Sequence, residues 1–389
     1  MRLKIAKRMM LIKPSGTMAM AERAGEMERK GRRVYHLDIG EPYFDTPEHI
    51  KEAAIKAIKE GYTHYTSSRG LFELREAIAE DLEKRRIYAD PSDEILVTPG
   101  AKHAIYCACL STLNPGDEVL VLSPTWPTHF QCVEIAEARV IEVSCGENFD
   151  LNEEELKSKV TGKTKMILVS SPNNPTGGGL SGEDIKAIVD IAVDNDLLIL
   201  SDEIYDRLVY EDFKPVSPAS LEGGRERTIV INGFSKTYAM TGWRLGYACA
   251  SREIIESMRR IQQSTTTCPV SFVQKAGIAA LRGPQKQVEK MIREYDRRRR
   301  FIVERLNQIE GVKCATPKGA FYVFPDISRL KISSMEFCVQ LLEETGVSTT
   351  PGSVFGKGGE GHIRVSYAND MQVISESIKR MEEFIEKYM

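Results

Sequence analysis

The chain has 389 residues, a length that suggests two or three domains or one large domain with an appendage. Of these residues 42% are hydrophobic and 28% are charged, a composition typical of a soluble globular protein. Its formal net charge is −3 and no segment forms a basic domain, so nucleic acid is not expected as a partner. The sequence contains no run of about 18 apolar residues, which argues against a membrane span.

The cysteines and histidines point away from a metal site. None of the eight cysteines forms a C-x-x-C pair, and the six histidines show no metal-ligand spacing. His103 and His129 are each expected to be packing or surface residues. The first residues are basic but lack the apolar core of a signal peptide, which favours a cytoplasmic location with reduced thiols.

Short apolar strands alternate with helices through the first part of the chain. Helices are predicted over 47–60, 71–86 and 102–113, and strands over 95–98, 118–122, 140–143, 166–169, 197–200, 227–232 and 245–250. Such alternation requires crossover connections, which build a largely parallel sheet covered on both faces. The predicted fold class is therefore α/β, with the ligand crevice at the carboxyl ends of the strands.

The pattern changes after about residue 281. A long charged helix is predicted over 285–309, followed by short strands at 320–324 and 362–366 and helices at 334–345 and 371–387. This mixture indicates a smaller α+β domain. We therefore expect an N-terminal arm and part of the small domain at 1–45, a large domain at 46–284 and a small C-terminal domain at 285–389. The Arg297–Arg300 run is expected on a solvated helix face or a subunit surface.

The segment from Val230 to Arg244 carries the strongest chemical signal in the chain. An apolar strand runs into Gly-Phe-Ser-Lys and then Thr-Gly-Trp-Arg. Burial at the end of such a strand would lower the pKa of Lys236 and make its amine a nucleophile toward carbonyls, including pyridoxal phosphate. Ser235 and Arg244 offer a hydroxyl and a guanidinium that suit a phosphate.

Three further loops that follow predicted strands carry unusual residues. Residues 98–102 turn into a helix N-terminus, which is a site that binds phosphate well. The segment 170–179 places Asn173 and Asn174 between two prolines, which holds an amide rigidly toward a ligand. Asp202 ends a buried strand, where its carboxylate needs a cationic partner such as a protonated pyridine nitrogen, and Tyr205 follows three residues later.

Together these motifs resemble the pyridoxal-phosphate-dependent class I/II aminotransferases of fold type I, over essentially the whole chain. Within that family the chain is most similar to the prokaryotic aspartate aminotransferases. The resemblance implies a large three-layer cofactor-binding domain and a smaller α+β domain. The matching segments are Gly40-Glu41-Pro42, Phe44-Asp45-Thr46-Pro47, Tyr65, Gly70, Leu74-Arg75-Glu76-Ala77, Ser171 to Gly177, Ser201 to Tyr205, Phe234-Ser235-Lys236, Gly242 to Tyr247 and Arg364 to Tyr367.

The resemblance implies pyridoxal 5′-phosphate as the cofactor. Lys236 would form the Schiff base and shuttle a proton, Asp202 would keep the pyridine nitrogen protonated, and Tyr205 would bond the ring 3-oxygen together with Asn174. Lys236, Asp202 and Tyr205 are the implied catalytic residues. Trp126 would stack on the ring. The implied cofactor-binding residues are Tyr65, Gly100, Ala101, Lys102, Trp126, Asn174, Asp202, Tyr205, Ser235, Lys236 and Arg244, of which Gly100, Ala101, Ser235 and Arg244 cup the phosphate.

The resemblance also implies a substrate site and a dimer. Arg364 would grip the substrate α-carboxylate through a bidentate fork, and Lys102 would meet the distal carboxylate of a dicarboxylic substrate. The implied substrate-binding residues are Ser15, Thr17, Gly40, Lys102, Trp126, Asn174 and Arg364. The expected reaction moves the amino group of L-aspartate to 2-oxoglutarate in a ping-pong mechanism, giving oxaloacetate and L-glutamate. Tyr65 would reach the phosphate of the other subunit of a homodimer.

Two alternatives stay open at this point. An aromatic or broad-range aminotransferase, including one that accepts prephenate, shares most of these motifs. A pyridoxal-phosphate-dependent lyase of the same fold keeps the cofactor and changes the reaction. A cofactor-sensing regulator would carry a basic helix-turn-helix extension, and a nicotinamide-binding protein would carry G-x-G-x-x-G after the first strand; the sequence shows neither.

Overall fold

The computed structural model describes Ala6, Met9 and residues 16–146 and 148–387, with residues 16–19 described as backbone only. Helices and strands alternate up to residue 249 and then give way to a helix-rich region. The helices are α1 (Gly16–Arg29), α2 (Glu48–Lys59), α3 (Phe72–Glu83), α4 (Ala101–Thr112), α5 (Pro127–Ile135), α6 (Glu153–Ser158), α7 (Gly182–Asp194), α8 (Arg252–Thr265), α9 (Ser271–Arg282), α10 (Lys286–Gln308), α11 (Ser334–Thr345) and α12 (Met371–Ile385). The strands are β1 (Tyr35–His36), β2 (Ile95–Thr98), β3 (Glu118–Ser123), β4 (Arg139–Ser144), β5 (Thr164–Ser170), β6 (Leu198–Asp202), β7 (Thr228–Gly233), β8 (Gly246–Cys249), β9 (Tyr322–Val323), β10 (Val347–Ser348), β11 (Thr350–Pro351) and β12 (Ile363–Ser366).

A seven-stranded sheet in the order β2-β8-β7-β6-β5-β3-β4 organises residues 95–249. All of its strands are parallel except β8, which pairs antiparallel with both β2 and β7. The strands inside the sheet are buried and mostly apolar along their middle residues, because helices cover both faces. The large, mostly parallel sheet confirms the predicted α/β fold class.

Alternate residues along each strand face opposite helical layers, as the period of a strand requires. Met166 and Leu168 pack with residues of α4, α5 and α8, whereas Ile167 and Val169 pack with residues of α6 and α7. Helices α2, α3 and α9 cover the β2–β8–β7 end of the sheet, where Val97 and Val230 contribute to a third cluster. The result is the expected helix–sheet–helix arrangement in three layers.

A second core lies among α1, α10, α11, α12 and the short strands. There β9, β12 and β11 form an antiparallel sheet, and β1 pairs in parallel with β10. Met20 and Ala24 of α1 belong to this core, and so do Ile204 and Tyr205, which follow β6 of the large sheet. The two cores therefore meet beside the end of β6. The domain boundaries at residues 45 and 284 stay predictions.

The expectation that the Arg297–Arg300 run lies on a solvated helix face or a subunit surface was wrong for two of its four residues. The side chains of Arg297 and Arg300 are 59% and 64% exposed, but those of Arg298 and Arg299 are 5% and 1% exposed. Arg299 pairs with Glu211 and Asp296, and its Nη1 donates to a main-chain carbonyl. The helical period turns two consecutive arginines inward, and ion pairing is what makes their burial tolerable.

Among the described residues, no helix is long and apolar enough to cross a bilayer.

Candidate active site

A cavity of about 480 Å³ opens at the carboxyl ends of the parallel strands. Loops that follow β2, β3, β5, β6 and β7 supply one side of it, and residues near β1, β9 and β12 supply the other. Carboxyl ends of parallel strands meet at one edge of a sheet, so loops that are distant in sequence converge there. Predicted site residues in its lining are Gly40, Ala101, Lys102, Trp126, Asn174, Asp202, Tyr205, Ser235, Lys236, Arg244 and Arg364.

The Lys236 amine lies inside this cavity, three residues after β7. Its Nζ donates a hydrogen bond to the carbonyl oxygen of Gly40 at 2.6 Å. Removal from water lowers the pKa of the amine to about 8, and the nearby charges of Arg364 and Arg244 act in the same direction against the opposing charge of Glu41. An amine with this pKa is present in part as the neutral nucleophile at physiological pH.

Asp202 ends β6 with its side chain only 3% exposed. Its Oδ1 accepts a hydrogen bond from the main-chain N–H of Ile204, and its Oδ2 lies 2.9 Å from His129 Nε2. A carboxylate only accepts, so His129 donates this proton, while its Nδ1 lies 2.8 Å from the Thr125 hydroxyl. These contacts hold the carboxylate in a fixed direction, where it offers negative charge to a cationic ligand atom.

The N-terminus of α4 and the Arg244 guanidinium lie side by side at the cavity. No side chain caps this helix, and its first N–H groups have no acceptor within the helix. The N-cap Gly100 has a φ of +86°, and a Cβ there would lie 2.5 Å from Arg244 Nη2. Only glycine lets the guanidinium approach so closely. Free N–H groups, a guanidinium and the Ser235 hydroxyl form a site that fits the phosphate of pyridoxal phosphate.

Arg364 of β12 lies on the opposite side of the cavity and is 4% exposed. Its Nη1 donates to Asn174 Oδ1 at 3.1 Å, and its Nη2 donates to Thr350 Oγ1 at 3.2 Å and to the Asp38 carbonyl. Among the described residues its buried Nε finds no acceptor. A buried donor without a partner in a cavity wall suits an anionic ligand such as a carboxylate.

Two tyrosine hydroxyls meet between these groups. Tyr205 OH lies 2.9 Å from Tyr322 OH, and both side chains are almost fully buried. Burial raises the pKa of each phenol above its ordinary value, so both hydroxyls keep their protons at neutral pH. The pair therefore supplies neutral hydrogen-bond donors to the cavity.

Lys102 and Trp126 stand together at one side of the cavity. Lys102 Nζ lies 4.9 Å from the centre of the Trp126 ring, a cation–π distance. Loss of water lowers the pKa of the Lys102 amine, and the positive charge of Arg244 lowers it further. Trp126 also packs edge-on against His129 at 5.7 Å between ring centres. The cavity thus has both a cation and an aromatic face in reach of a ligand.

Four predicted site residues are not among the cavity-lining ones. Gly100 is the N-cap of α4, directly before the lining residue Ala101. The other three are Tyr65, Ser15 and Thr17. Tyr65 is 85% exposed and lies in a separate surface groove with Cys268 and Val270. The Ser15 residue and the Thr17 side chain lie outside the described residues. The proposed contacts of these three residues stay predictions.

Sequence reasoning missed several residues that shape the site. His129 was expected to be a packing or surface residue, and the signal that links it to the site is its position three residues after Trp126, one helical turn along α5. Tyr322 and Thr350 carry no local signal, because only the pairing of β9, β11 and β12 brings them beside Arg364. Asp38 contributes through its main-chain carbonyl, which no side-chain pattern predicts.

Known proteins resemble this chain over nearly its full length. An aspartate aminotransferase of Pyrococcus abyssi is 46% identical over 98% of each chain, and aromatic-amino-acid aminotransferase 2 of Thermococcus litoralis is 43% identical over 98% of each. A solved structure of aspartate aminotransferase from Thermus thermophilus with maleate superposes with a TM-score of 0.94 at 38% identity, covering 98% of this chain and 100% of that one.

The family model for aminotransferase class I and II matches residues 32–381. This range includes every residue that lines the cavity except Ala21 of α1. The chain therefore belongs to the class I and II aminotransferases, enzymes that work with pyridoxal 5′-phosphate on amino and keto acids.

Proposed function

We propose that this chain is an aspartate aminotransferase, which moves the amino group of L-aspartate to 2-oxoglutarate and yields oxaloacetate and L-glutamate. The observation that carries the proposal is the cation of Lys102 in the same cavity as Arg364. Aspartate and glutamate each bear two carboxylates, and two separate cations suit them. The Pyrococcus relative of the same name and the Thermus structure with maleate, a dicarboxylate, support this choice.

Three residues of the cavity carry out the main steps in this proposal. Pyridoxal phosphate, when bound, supplies an electron sink for the charge left at the substrate Cα. Lys236, whose amine has a pKa of about 8, takes the proton from that carbon. Asp202 keeps a proton on the pyridine nitrogen, and Arg364 orients the substrate through its α-carboxylate. Because both substrates carry the same two anionic groups, they use one site in turn, as in a ping-pong reaction.

An aromatic or broad-range aminotransferase is the second candidate. The Thermococcus relative carries an aromatic-amino-acid name at 43% identity. The Trp126 ring presents a face on which an aromatic substrate would pack, and the exposed Lys102 side chain can turn away from it. The two candidates therefore differ mainly in what Lys102 does.

Replacement of Lys102 by Ala separates them. We expect the half-reaction rate with aspartate to fall about 10- to 100-fold, since a charge-assisted contact of about 1.5–3 kcal/mol is lost, and the rate with phenylalanine to change less than about threefold. Stopped-flow absorbance of the bound cofactor measures both rates, and Lys163→Ala serves as the control on an exposed lysine. An unchanged aspartate rate would exclude the assignment of Lys102 to the distal carboxylate, and a wild type that prefers phenylalanine would exclude the aspartate assignment.

We further propose a cytoplasmic homodimer in which Tyr65 reaches the phosphate site of the other subunit. Tyr65 is 85% exposed and Val270 in the same groove is 46% exposed, so the groove offers apolar surface that a second subunit would cover. All eight thiols are free, as is usual in a reducing compartment. Sedimentation at micromolar concentration should give a dimer, and Tyr65→Phe should weaken cofactor binding about tenfold. A monomer with full cofactor affinity would contradict the proposal.

A further inference from the structure

The side chain of Tyr322 contacts three parts of the cavity wall, namely Tyr205, Arg364 and the main chain at Gly40. Its hydroxyl is 2.9 Å from the Tyr205 hydroxyl, and its ring lies under the Arg364 guanidinium at 4.7 Å. A Cβ on Gly40 would lie 2.8 Å from the same oxygen, so the main chain next to Lys236 packs directly against it. The Tyr205 and Tyr322 rings meet nearly at right angles, 5.9 Å apart, and neither is exposed by more than 3%. The side chain is therefore held in place by its neighbours in the cavity wall.

Because each phenol has one proton to donate, binding of the cofactor determines which of the two tyrosine hydroxyls donates to the other. A phenol has one proton to donate and lone pairs that accept. The family resemblance implies that Tyr205 bonds the 3-oxygen of the cofactor ring, and in that bond Tyr205 donates its proton. The short contact between the two tyrosines then requires Tyr322 to donate and Tyr205 to accept.

The surroundings make Tyr322 the better donor of the two. Burial raises the pKa of both phenols, and the cation of Arg364 opposes it in both. The pKa of Tyr205 is raised well above its ordinary value, with the neighbouring Tyr322 adding to the effect of burial, whereas Arg364 is the main influence that opposes burial at Tyr322. A cation beside one end of a chain of hydrogen bonds polarises the bonds that follow it. Each donor in such a chain strengthens the next.

We propose that Tyr322 is a positioning residue that donates its hydroxyl proton to Tyr205 and so strengthens the hydrogen bond from Tyr205 to the cofactor 3-oxygen. This inference rests on the proposed function, because it assumes that Tyr205 faces the cofactor ring. It assigns a task to a residue of the small C-terminal region that touches the cofactor only through another side chain. Its effect is on the ionisation of the bound cofactor.

The test is the pH midpoint at which the visible absorption band of the bound cofactor changes. A strong hydrogen-bond donor at the 3-oxygen stabilises the deprotonated form of the bound cofactor, so it lowers this midpoint. Tyr322→Phe removes one hydroxyl and keeps the ring. We expect the midpoint of the Tyr322→Phe holoenzyme to rise by about 0.5 to 1 pH unit, the size of one weakened hydrogen bond to a charged acceptor.

Tyr367→Phe is the matched control. Tyr367 lies in the same core, is fully buried, and donates its hydroxyl to the Ala320 carbonyl away from the cavity lining. Its midpoint should stay within about 0.2 unit of the wild type. If Tyr322→Phe yielded no folded holoenzyme while Tyr367→Phe did, Tyr322 would be a packing residue and the inference would be wrong.

A double-mutant cycle tests the route through Tyr205. Tyr205→Phe should raise the midpoint by more than Tyr322→Phe does, and the double variant should match Tyr205→Phe alone. An unmoved or lowered midpoint in Tyr322→Phe, or an equal shift with Tyr205 already replaced, would overturn the inference. Borohydride reduction of the wild type must first label Lys236 with a pyridoxyl group. A wild type without this label would contradict the proposed function itself. A labelled wild type together with an unmoved midpoint in Tyr322→Phe would contradict only this inference.

Discussion

The two walls of the cavity are built in different ways. We call the side chains that follow strands of the seven-stranded sheet the sheet wall, which includes Lys102, Trp126, Asn174, Asp202 and Lys236. We call the lining residues of the loop after β1 and of β9 and β12 the small-domain wall. It comprises Asp38, Ile39, Gly40, Glu41, Tyr322 and Arg364. The sheet wall is carried by strands of four to seven residues, the small-domain wall by strands of two to four.

This difference shows in how each wall holds its polar groups. Asp202 of the sheet wall is fixed by the N–H two residues ahead and by His129, itself on a helix packed against the sheet. Arg364 of the small-domain wall is held by Asp38, Asn174 and Thr350, each from a different segment of the chain. A rigid sheet edge suits a cofactor that stays bound. A wall assembled from several segments suits a substrate that enters and leaves with each turnover.

The largest expected effect is on the sheet wall. Asp202→Asn keeps the shape and removes the negative charge that a cationic ring nitrogen needs. We expect the aspartate half-reaction to slow about 10²- to 10³-fold, because removal of one partner from a buried charge pair costs about 3–5 kcal/mol. Single-turnover absorbance measures the rate.

His129→Gln provides the graded comparison for this prediction. His129 contacts the other oxygen of Asp202 and orients it, so its loss should slow the same step only about tenfold. If His129→Gln slowed the half-reaction as much as Asp202→Asn does, the orientation of the carboxylate would matter as much as its charge. An Asp202→Asn enzyme within about threefold of the wild type would contradict the assignment of Asp202.

The second prediction addresses the small-domain wall. Lys cannot reproduce the planar fork of a guanidinium, so Arg364→Lys should lower kcat/KM for aspartate about 10²-fold, mostly through a higher KM. Steady-state kinetics with varied aspartate measure it. Arg380→Lys, which changes a half-exposed arginine paired with Glu376 on α12, is the matched control and should leave both constants unchanged. A fall confined to kcat would show that Arg364 does not bind the substrate in its ground state.

The sheet wall is also the part of the site that sequence predicts best. Strand β2 has the predicted bounds 95–98, and β5, β6 and β7 end one or two residues after the predicted apolar runs. In a parallel sheet, a residue just after a strand lies at the ligand edge whatever the rest of the chain does. Local pattern is therefore enough to predict that Asp202 and Lys236 share a cavity.

The small-domain wall depends on pairings that local pattern does not contain. Tyr35 pairs with Val347, and Val323 pairs with Val365, across long separations in sequence and in strands of two to four residues. Period-two alternation in so short a strand does not establish which face is buried. Because local pattern does not contain these pairings, Arg364 was identified only through the family resemblance, and Tyr322 was missed. The buried Arg298 and Arg299 were misjudged because their partners Glu294, Asp296 and Glu211 come partly from another element.

The smallest predicted effect concerns Lys236, where the two walls touch through the Gly40 carbonyl. Burial lowers the pKa of its amine to about 8, so the reactive neutral form increases as pH rises through that value. In the cofactor-free protein, reaction of Lys236 with an aldehyde should therefore speed up about tenfold between pH 7 and pH 9 and then level off. An exposed lysine would instead keep gaining rate up to about pH 10. Mass spectrometry after reduction locates the modified residue, and Lys236→Ala removes the signal. A rate that still climbs steeply above pH 9 would show that the amine is hydrated, and that the small-domain wall does not close over it in the absence of cofactor.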